Sequence, residues 1–252
     1  MSYAEIADAF VGAVRVTQTA KELALLLGDV TREMDFRHFA LIRHGDLQIS
    51  ASHRIDIKDY PAAVTERLID KRTYRRDPVI RSCLFADSAF LWSEMHRIVV
   101  LDRLDRESLE FGLREGLNEG ITVPCIRLGE RMGSCTFAGI SDTEAAARCL
   151  GAVQMVGVFA FQAARRIITV PPAVPAPKPK LHPRPRDCVI LAGRGYSNKE
   201  IARQLALTPR TVDGYLTEAR HLFDAHDRTE LVVCALLAGE IELCELRKGQ
   251  PE

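Results

Sequence analysis

The stretch SNKEIARQLALTPRTVDGYLTEA, Ser197 to Ala219, decides what kind of protein this is. Ser197 stands at a helix cap with Glu200 three positions on, the spacing at which each side chain satisfies the other's unpaired backbone N–H. Ile201, Ala202 and Leu205 then recur at helical spacing, and Ala206-Leu207 breaks the helix. Thr208 is a good N-cap, and Pro209 suits the first helical position, where its missing N–H costs nothing. Val212, Leu216, Ala219 and Leu222 follow on one face, with Tyr215 beside them. Two short helices joined by a tight break predict a helix-turn-helix, whose second helix enters the DNA major groove. The bland alternative, helices that only pack on one another, leaves the coincidence of caps, break and spacing unexplained.

Around this stretch the chain fits a two-domain protein. It has 252 residues, and Lys plus Arg equals Asp plus Glu at 34 each, so net charge alone does not point to DNA. Between Lys178 and Gly239, ten Lys or Arg face seven Asp or Glu, a small local excess. Affinity for phosphate then depends on where the charges sit, with Arg184, Lys199, Arg203, Arg210 and Arg220 as the candidates. Thr169 to Lys180 reads TVPPAVPAPKPK, with prolines at 171, 172, 175, 177 and 179. Such a run is extended and semi-rigid, at about 3.1 Å per residue. It predicts a linker over 169–180 between a domain at 1–168 and one at 181–252.

Several classes are excluded. The N-terminus has Glu5 and Asp8 and no apolar core of signal-peptide length. No run reads as the ~20 apolar residues of a membrane span. A cytoplasmic protein is expected. The seven cysteines are scattered, with no Cys-x-x-Cys pair, so buried reduced thiols are expected rather than a metal site. No Ser-His-Asp order, Gly-rich phosphate loop or metal-ligand spacing stands out, so neither an enzyme nor a cofactor is expected. A phosphorylated response regulator would need an acidic cluster after the first strand, which is missing.

The N-terminal region alternates helices and strands. Residues 4–14 and 19–33 have helical apolar spacing, with Leu23, Leu26, Leu27 and Val30 on one stripe. Phe39 to Arg43 and Leu47 to Ser52 flank His44-Gly45-Asp46 as a predicted hairpin. Helices are predicted over Pro61–Lys71, from Asp77-Pro78 onward, and over Arg106–Leu117. Ile121–Leu128 and Ser134–Gly139 read as a second hairpin, and Asp142–Ile168 as a long amphipathic helix. A final helix runs from Leu231 to about Leu246. The order predicts a sheet with helices on both faces.

The segment from Leu181 to Ile241 resembles the four-helix DNA-binding domain of LuxR-type transcription regulators. The marks are Gly195, Ser197, Glu200-Ile201-Ala202, Leu205, Thr211-Val212 and Ala238-Gly239-Glu240-Ile241. The family usually has Glu at Pro185 and Leu at Val189, and Pro185 still fits a first helical turn. On the second helix Val212, Leu216 and Ala219 face inward, which turns Asp213, Gly214 and Thr217 outward. The resemblance implies that Asp213 and Thr217 contact bases, while Gly214 either permits close approach or only relieves crowding. Phosphate contacts then fall to Lys199, Thr208, Arg210 and Thr211.

Tyr60-Pro61, Asp77-Pro78-Val79, Phe90-Leu91-Trp92-Ser93 and Gly116 with Gly120-Ile121-Thr122-Val123-Pro124 resemble the autoinducer-binding domain of the same family. The resemblance implies an α/β/α sandwich enclosing a small acylated ligand, usually an N-acyl-homoserine lactone. Asp77 would accept the ligand's amide N–H, Tyr60 and Thr136 would donate to its acyl carbonyl, and Trp92 would pack over the head group. From the residues alone, Asp77 is equally a helix cap, Trp92 a core residue and Tyr60 a surface aromatic. Two positions depart: Val64 stands where the family has a Trp donor to the lactone carbonyl, and Leu68 stands where it has Tyr. Tyr60, Val64 and Leu68 share one helix face at i, i+4 and i+8. A lactone bound there lacks one donor, at a cost on the order of 1–3 kcal/mol.

The expected architecture is therefore α+β, an N-terminal α/β/α ligand-binding and dimerisation domain followed by an all-α, four-helix helix-turn-helix domain. The expected function is a ligand-responsive transcription regulator of the quorum-sensing type. Its partners are operator DNA, a small-molecule signal that is an acyl-homoserine lactone or a relative of one, and a second copy of the chain, with no membrane. The alternative is a ligand-independent dimeric factor whose N-terminal domain only dimerises.

Overall fold

Several helix starts in this chain are set by reciprocal side-chain caps. Ser2 with Glu5 opens α1 (Tyr3–Val14), Thr19 with Glu22 opens α2 (Ala20–Glu33), and each pair bonds the other's backbone N–H. The computed structural model describes residues 1–44, 54–70 (side chains as far as Arg67), 76–168 and 179–247. Backbone contacts divide the chain into two compact units, Met1–Pro171 and Pro172–Glu252.

The first unit is built on a five-stranded antiparallel sheet in the order β2-β1-β5-β4-β3. The strands are β1 (His38–Arg43), β2 (Asp56–Asp59), β3 (Phe90–Leu91), β4 (Glu119–Cys125) and β5 (Gly133–Ile140). Both faces are covered, so β5 is buried along its whole length. Against one face lie α1, α2 and α6 (Thr143–Ile168), sharing a core with Phe39, Leu41, Ile121, Val123, Cys135 and Phe137. Gly157 lets α6 settle onto the sheet, because a Cβ there would stand 2.6 Å from the Val123 side chain. On the other face stand α3 (Ala62–Asp70), α4 (Pro78–Ser82) and α5 (Arg103–Arg114). Val64, Leu117 and Ala138 form a buried cluster there, with Tyr60, Trp92 and Phe111 packed on it. This is the α/β/α sandwich that the element order predicts.

Four expectations are corrected in detail. Besides β5, β1 pairs with Asp56–Asp59, in the register Phe39↔Asp59 to Ile42↔Asp56, whereas residues 47–52, expected to pair, lie outside the described residues. α5 begins three residues early, at Arg103, because Asp102 and Asp105 form a capping box. The last long helix, α10 (Arg228–Ala238), stops well short of Leu246, since Gly239 takes a left-handed φ of 78° and terminates it. Finally, α6 is long and apolar enough to cross a membrane by length and composition. In the fold its apolar stripe, with Cys149, Val153, Val156, Ala160 and Ala164 wholly buried, packs along the sheet.

Among its described residues the second unit has four α-helices, α7 (Pro183–Gly193), α8 (Asn198–Leu205), α9 (Pro209–Phe223) and α10, and a 3-10 turn at Cys244–Leu246. Val189, Ile201, Val212, Leu216, Ala219, Leu231 and Ala235 fill its core. Leu222, expected on the inner face of α9, is instead 45% exposed, and Phe223 packs on the core in its place. The bidentate pair from Arg186 Nη2 to both Glu245 oxygens, 2.8 Å each, fastens the C-terminal segment to α7. Of the seven cysteines, all free, five are buried, Cys234 is half-buried and Cys244 is exposed.

Candidate functional site

The first unit holds a cavity of about 90 Å³ between the sheet and the helices α3, α4 and α5. The sheet supplies its floor through strand alternation: Ala40 and Ile42 from β1, Ser134 and Thr136 from β5. Val64, Val79, Ile80, Leu109, Phe111 and Leu117 form the apolar walls. Tyr60, Val64, Asp77, Trp92 and Thr136, five of the six residues expected to bind a ligand, line this one cavity. The side chain of the sixth, Leu68, lies outside the described ones.

Asp77 is held by its own helix. Its Oδ1 accepts from Val79 N–H at 3.0 Å and from Ile80 N–H at 3.1 Å, so it is the N-cap of α4 while also lining the cavity. Both sequence readings of Asp77 are thus realised in one residue. Burial pushes its carboxyl up from 3.8 to about 6, against the two backbone hydrogen bonds, which hold it down. Arg81 and Asp105 stand close by, Arg81 Nη1 donating to both oxygens of Asp105 at 3.0 and 2.9 Å. Burial also raises the Tyr60 phenol well above its ordinary value, with the Asp77 charge adding to it and a hydrogen bond with Thr136 opposing.

Trp92 packs flat against β4 because position 120 is glycine; a Cβ there would come within 2.7 Å of the indole. Its Nε1–H donates to Thr122 Oγ1 at 3.0 Å, and Thr122 shares a 3.0 Å hydrogen bond with Thr136. A polar chain therefore runs from Trp92 through Thr122 to Thr136 beneath the cavity. The indole N–H is spent inside the protein, which leaves Trp92 its ring face for a ligand. Glu119 fixes the backbone here: its Oε1 accepts from the N–H groups of Trp92, Ser93 and Gly120 at 3.0, 3.3 and 2.9 Å.

Sequence reasoning missed Thr122, Glu119, His44, Ser134 and Arg67. His44 Nε2 lies 2.8 Å from Ser134 Oγ, and burial pushes the imidazole down to about 4. Arg67 lines the cavity with its guanidinium 4.4 Å from the centre of the Phe111 ring. Strand alternation from Thr136 points to Ser134, two residues away; the others carry no local signal.

In the second unit, α8 and α9 form the helix-turn-helix. Ser197 and Glu200 make the reciprocal cap, and Ala206 turns the chain in a left-handed conformation with φ 54°. Thr208 caps α9 through Thr211 N–H at 3.1 Å, and the two hydroxyls bond each other at 2.8 Å. Val212, Leu216 and Ala219 are buried while Lys199, Thr208, Arg210, Asp213 and Gly214 are exposed, with Thr211 and Thr217 half-buried. All seven residues expected to meet DNA thus stand on the accessible side. Two unforeseen contacts order this surface. Asn198 Nδ2 donates to Asp213 Oδ1 at 3.2 Å and is itself held by Arg228, whose Nη1 donates to Asn198 Oδ1 at 3.0 Å. Arg220 Nη2 donates to Thr217 Oγ1 at 3.1 Å, bringing a guanidinium to the same helix face.

A cavity domain joined to a helix-turn-helix domain defines the class of transcription regulators that couple an effector domain to a DNA reader. Residues 19–164 match the autoinducer binding domain, and residues 180–235 match the bacterial regulatory proteins of the luxR family. The chain belongs to this family and is a transcription regulator of the quorum-sensing type. It is 26% identical over 179 residues to the transcriptional activator protein BjaR1 of Bradyrhizobium diazoefficiens, a span of 71% of this chain and 72% of that protein. Its fold is that of SdiA of Escherichia coli, with a TM-score of 0.53 at 16% identity over 94% of this chain and 98% of that one. SdiA in complex with octanoyl-rac-glycerol gives the same TM-score at 18% identity, covering 92% and 93% of the two chains. These relatives point away from catalysis.

Proposed function

We propose that the protein binds a small acylated amide or ester in the cavity of its first unit and, as a homodimer in the cytoplasm, binds operator DNA through α9. One observation carries the reading: Asp77, Trp92, Tyr60 and Thr136, far apart in sequence, line a single cavity. Asp77 Oδ1 is taken by the cap, so Oδ2 is the oxygen that accepts a ligand N–H. Tyr60 and Thr136 serve the acyl carbonyl, and the Trp92 ring covers the head group. The signal is an acyl-homoserine lactone or a related acyl compound without the lactone. Val64 offers no donor to a ring carbonyl, and the fold relative SdiA is solved with octanoyl-rac-glycerol, an acyl ester lacking a lactone.

Dimerisation draws on α10, which leaves Val233 and Leu237 exposed one turn apart. α6 contributes less than its composition suggests, because its stripe is spent on the sheet. A two-fold symmetric operator with half-sites about one DNA turn apart follows. The second reading, a dimerising first unit without effector, rests on Val64 and the modest cavity. Mass spectrometry of small molecules released from the purified protein separates the two: an acylated compound at near one per chain supports the effector, and none under any growth condition overturns it. Light scattering that finds a monomer on one asymmetric half-site overturns the dimer.

A further inference from the structure

The cavity floor carries a second polar station that the head-group contacts leave unused. Thr136 and Ser134 are two residues apart on β5, so both face the cavity, about 6–7 Å apart along the strand. Their cross-strand neighbours are Ala40 and Ile42 on β1 and Thr122 and Pro124 on β4, so the floor beside the stations is apolar except for Thr122, whose hydroxyl is already bonded to Trp92 and Thr136. At the far station Ser134 Oγ and His44 Nε2 stand 2.8 Å apart, and both residues line the cavity. His44 is anchored at the end of β1 by its N–H, which donates to Met132 O at 2.8 Å.

Burial keeps the imidazole neutral near pH 7. A neutral imidazole and a hydroxyl together can accept a hydrogen bond from a ligand group or donate one to it, by switching which of the two is donor within the pair. A plain alkyl chain laid over this pair would cover it without offering a partner, and covering polar groups unpaired is unfavourable.

We propose that the effector's acyl portion is hydroxylated, and that its hydroxyl, about 6–7 Å beyond the acyl carbonyl, bonds to the Ser134–His44 pair. The inference rests on the proposal that Asp77 and Thr136 hold the amide end. Thr136 sets the origin, β5 sets the direction, and Ser134 marks where the acyl chain meets its second polar partner. The specificity is for the position of an oxygen along the chain.

The test compares N-hexanoyl with N-(6-hydroxyhexanoyl) compounds in two series, homoserine lactones and butylamides. Dissociation constants are measured by calorimetry on the full chain, for the natural protein, Ser134→Ala and His44→Phe. The hydroxylated member should bind roughly tenfold more tightly to the natural protein, the scale of one hydrogen bond, and that ratio should fall toward one in both variants. The ratio is read within each variant, so a general loss of affinity cancels, and Ser134→Ala suffices if His44→Phe does not fold. Equal binding of the two members, or a preference that survives Ser134→Ala, overturns this inference and leaves the effector reading standing. If no member of either series binds, the effector reading falls and takes this inference with it.

Discussion

Glu119 accepts the backbone N–H of Trp92 at 3.0 Å, together with those of Ser93 and Gly120. One carboxylate at the start of β4 thus anchors the turn that carries the cavity's aromatic wall. Glu119→Ala would leave three N–H groups without their acceptor, at a cost of about 2–4 kcal/mol. Trp92 is the sole tryptophan, so its emission reports the site directly. The expected outcome is a lower melting temperature with a red-shifted emission maximum; unchanged emission removes Glu119 from the role of anchor.

Asp77 has two duties, and substitutions part them. Asp77→Ala removes the cap of α4, worth about 0.5–2 kcal/mol, together with the ligand acceptor. Asp77→Asn keeps a good cap and changes only the charge and the acceptor. Reporter response to the signal should vanish in Asp77→Ala and persist in part in Asp77→Asn. An unaltered dose-response in Asp77→Ala takes Asp77 out of the pocket.

The raised carboxyl of Asp77 sets a pH dependence. Its folded value of about 6 lies above the ordinary 3.8, so the folded chain holds a proton that the unfolded chain has released between those limits. Asp77 therefore destabilises the unliganded fold as pH rises from about 4 to about 6, and the penalty is constant above that. A ligand N–H donated to the carboxylate favours the charged form, so affinity should rise as pH passes through about 6. Ligand-induced thermal shifts at pH 5 and pH 7 test the sign: a larger shift at pH 7, flattened in Asp77→Asn, is expected.

Val64 is buried in the cluster with Leu117 and Ala138. Val64→Trp restores an indole donor and occupies part of the cavity, so it should lower stability by about 1–3 kcal/mol. Relative affinity should shift toward homoserine lactones and away from the matching butylamides. If lactones gain nothing over the amides, the pocket is fitted to another head group.

On α9, Asp213→Ala and Thr217→Ala should change which operator sequence is preferred. Lys199→Ala and Arg210→Ala should weaken all sequences alike, each lowering the salt slope by about 1. Asn198→Ala should act like a milder Asp213 variant, because it removes the 3.2 Å contact that orients that carboxylate. In-vitro operator selection with each variant measures this. A preferred sequence that is unchanged in Asp213→Ala and Thr217→Ala but altered in Arg210→Ala overturns the assignment.

Local chemistry made much of the fold legible. Ser197 with Glu200, Thr208 with Pro209 and Asp77 with Pro78 announce helix starts through groups only one to three residues apart, and all three are realised. The amphipathic stripe of α6 marks its helix in the same way. The segment expected to pair with β1, residues 47–52, lies outside the described residues; β1 takes Asp56–Asp59, because partner choice depends on which strand fits across the sheet and not on a local turn signal. Leu222 was misplaced because the residue that closes the core at the end of α9 is fixed by neighbouring helices.

The sequence by itself determined the helix-turn-helix and the layered first unit, because caps and periodicities are short-range and survive in the linear chain; the candidate ligand contacts came from the resemblance of its motifs to the family. Only the tertiary structure decided that Glu119 anchors Trp92, that Thr122 takes the indole N–H, that His44 meets Ser134 across 90 residues, and that Arg228 steadies Asn198 beneath Asp213. Those pairs are made by strand register and helix packing, which bring distant polar groups into sites where burial compels each to find a partner.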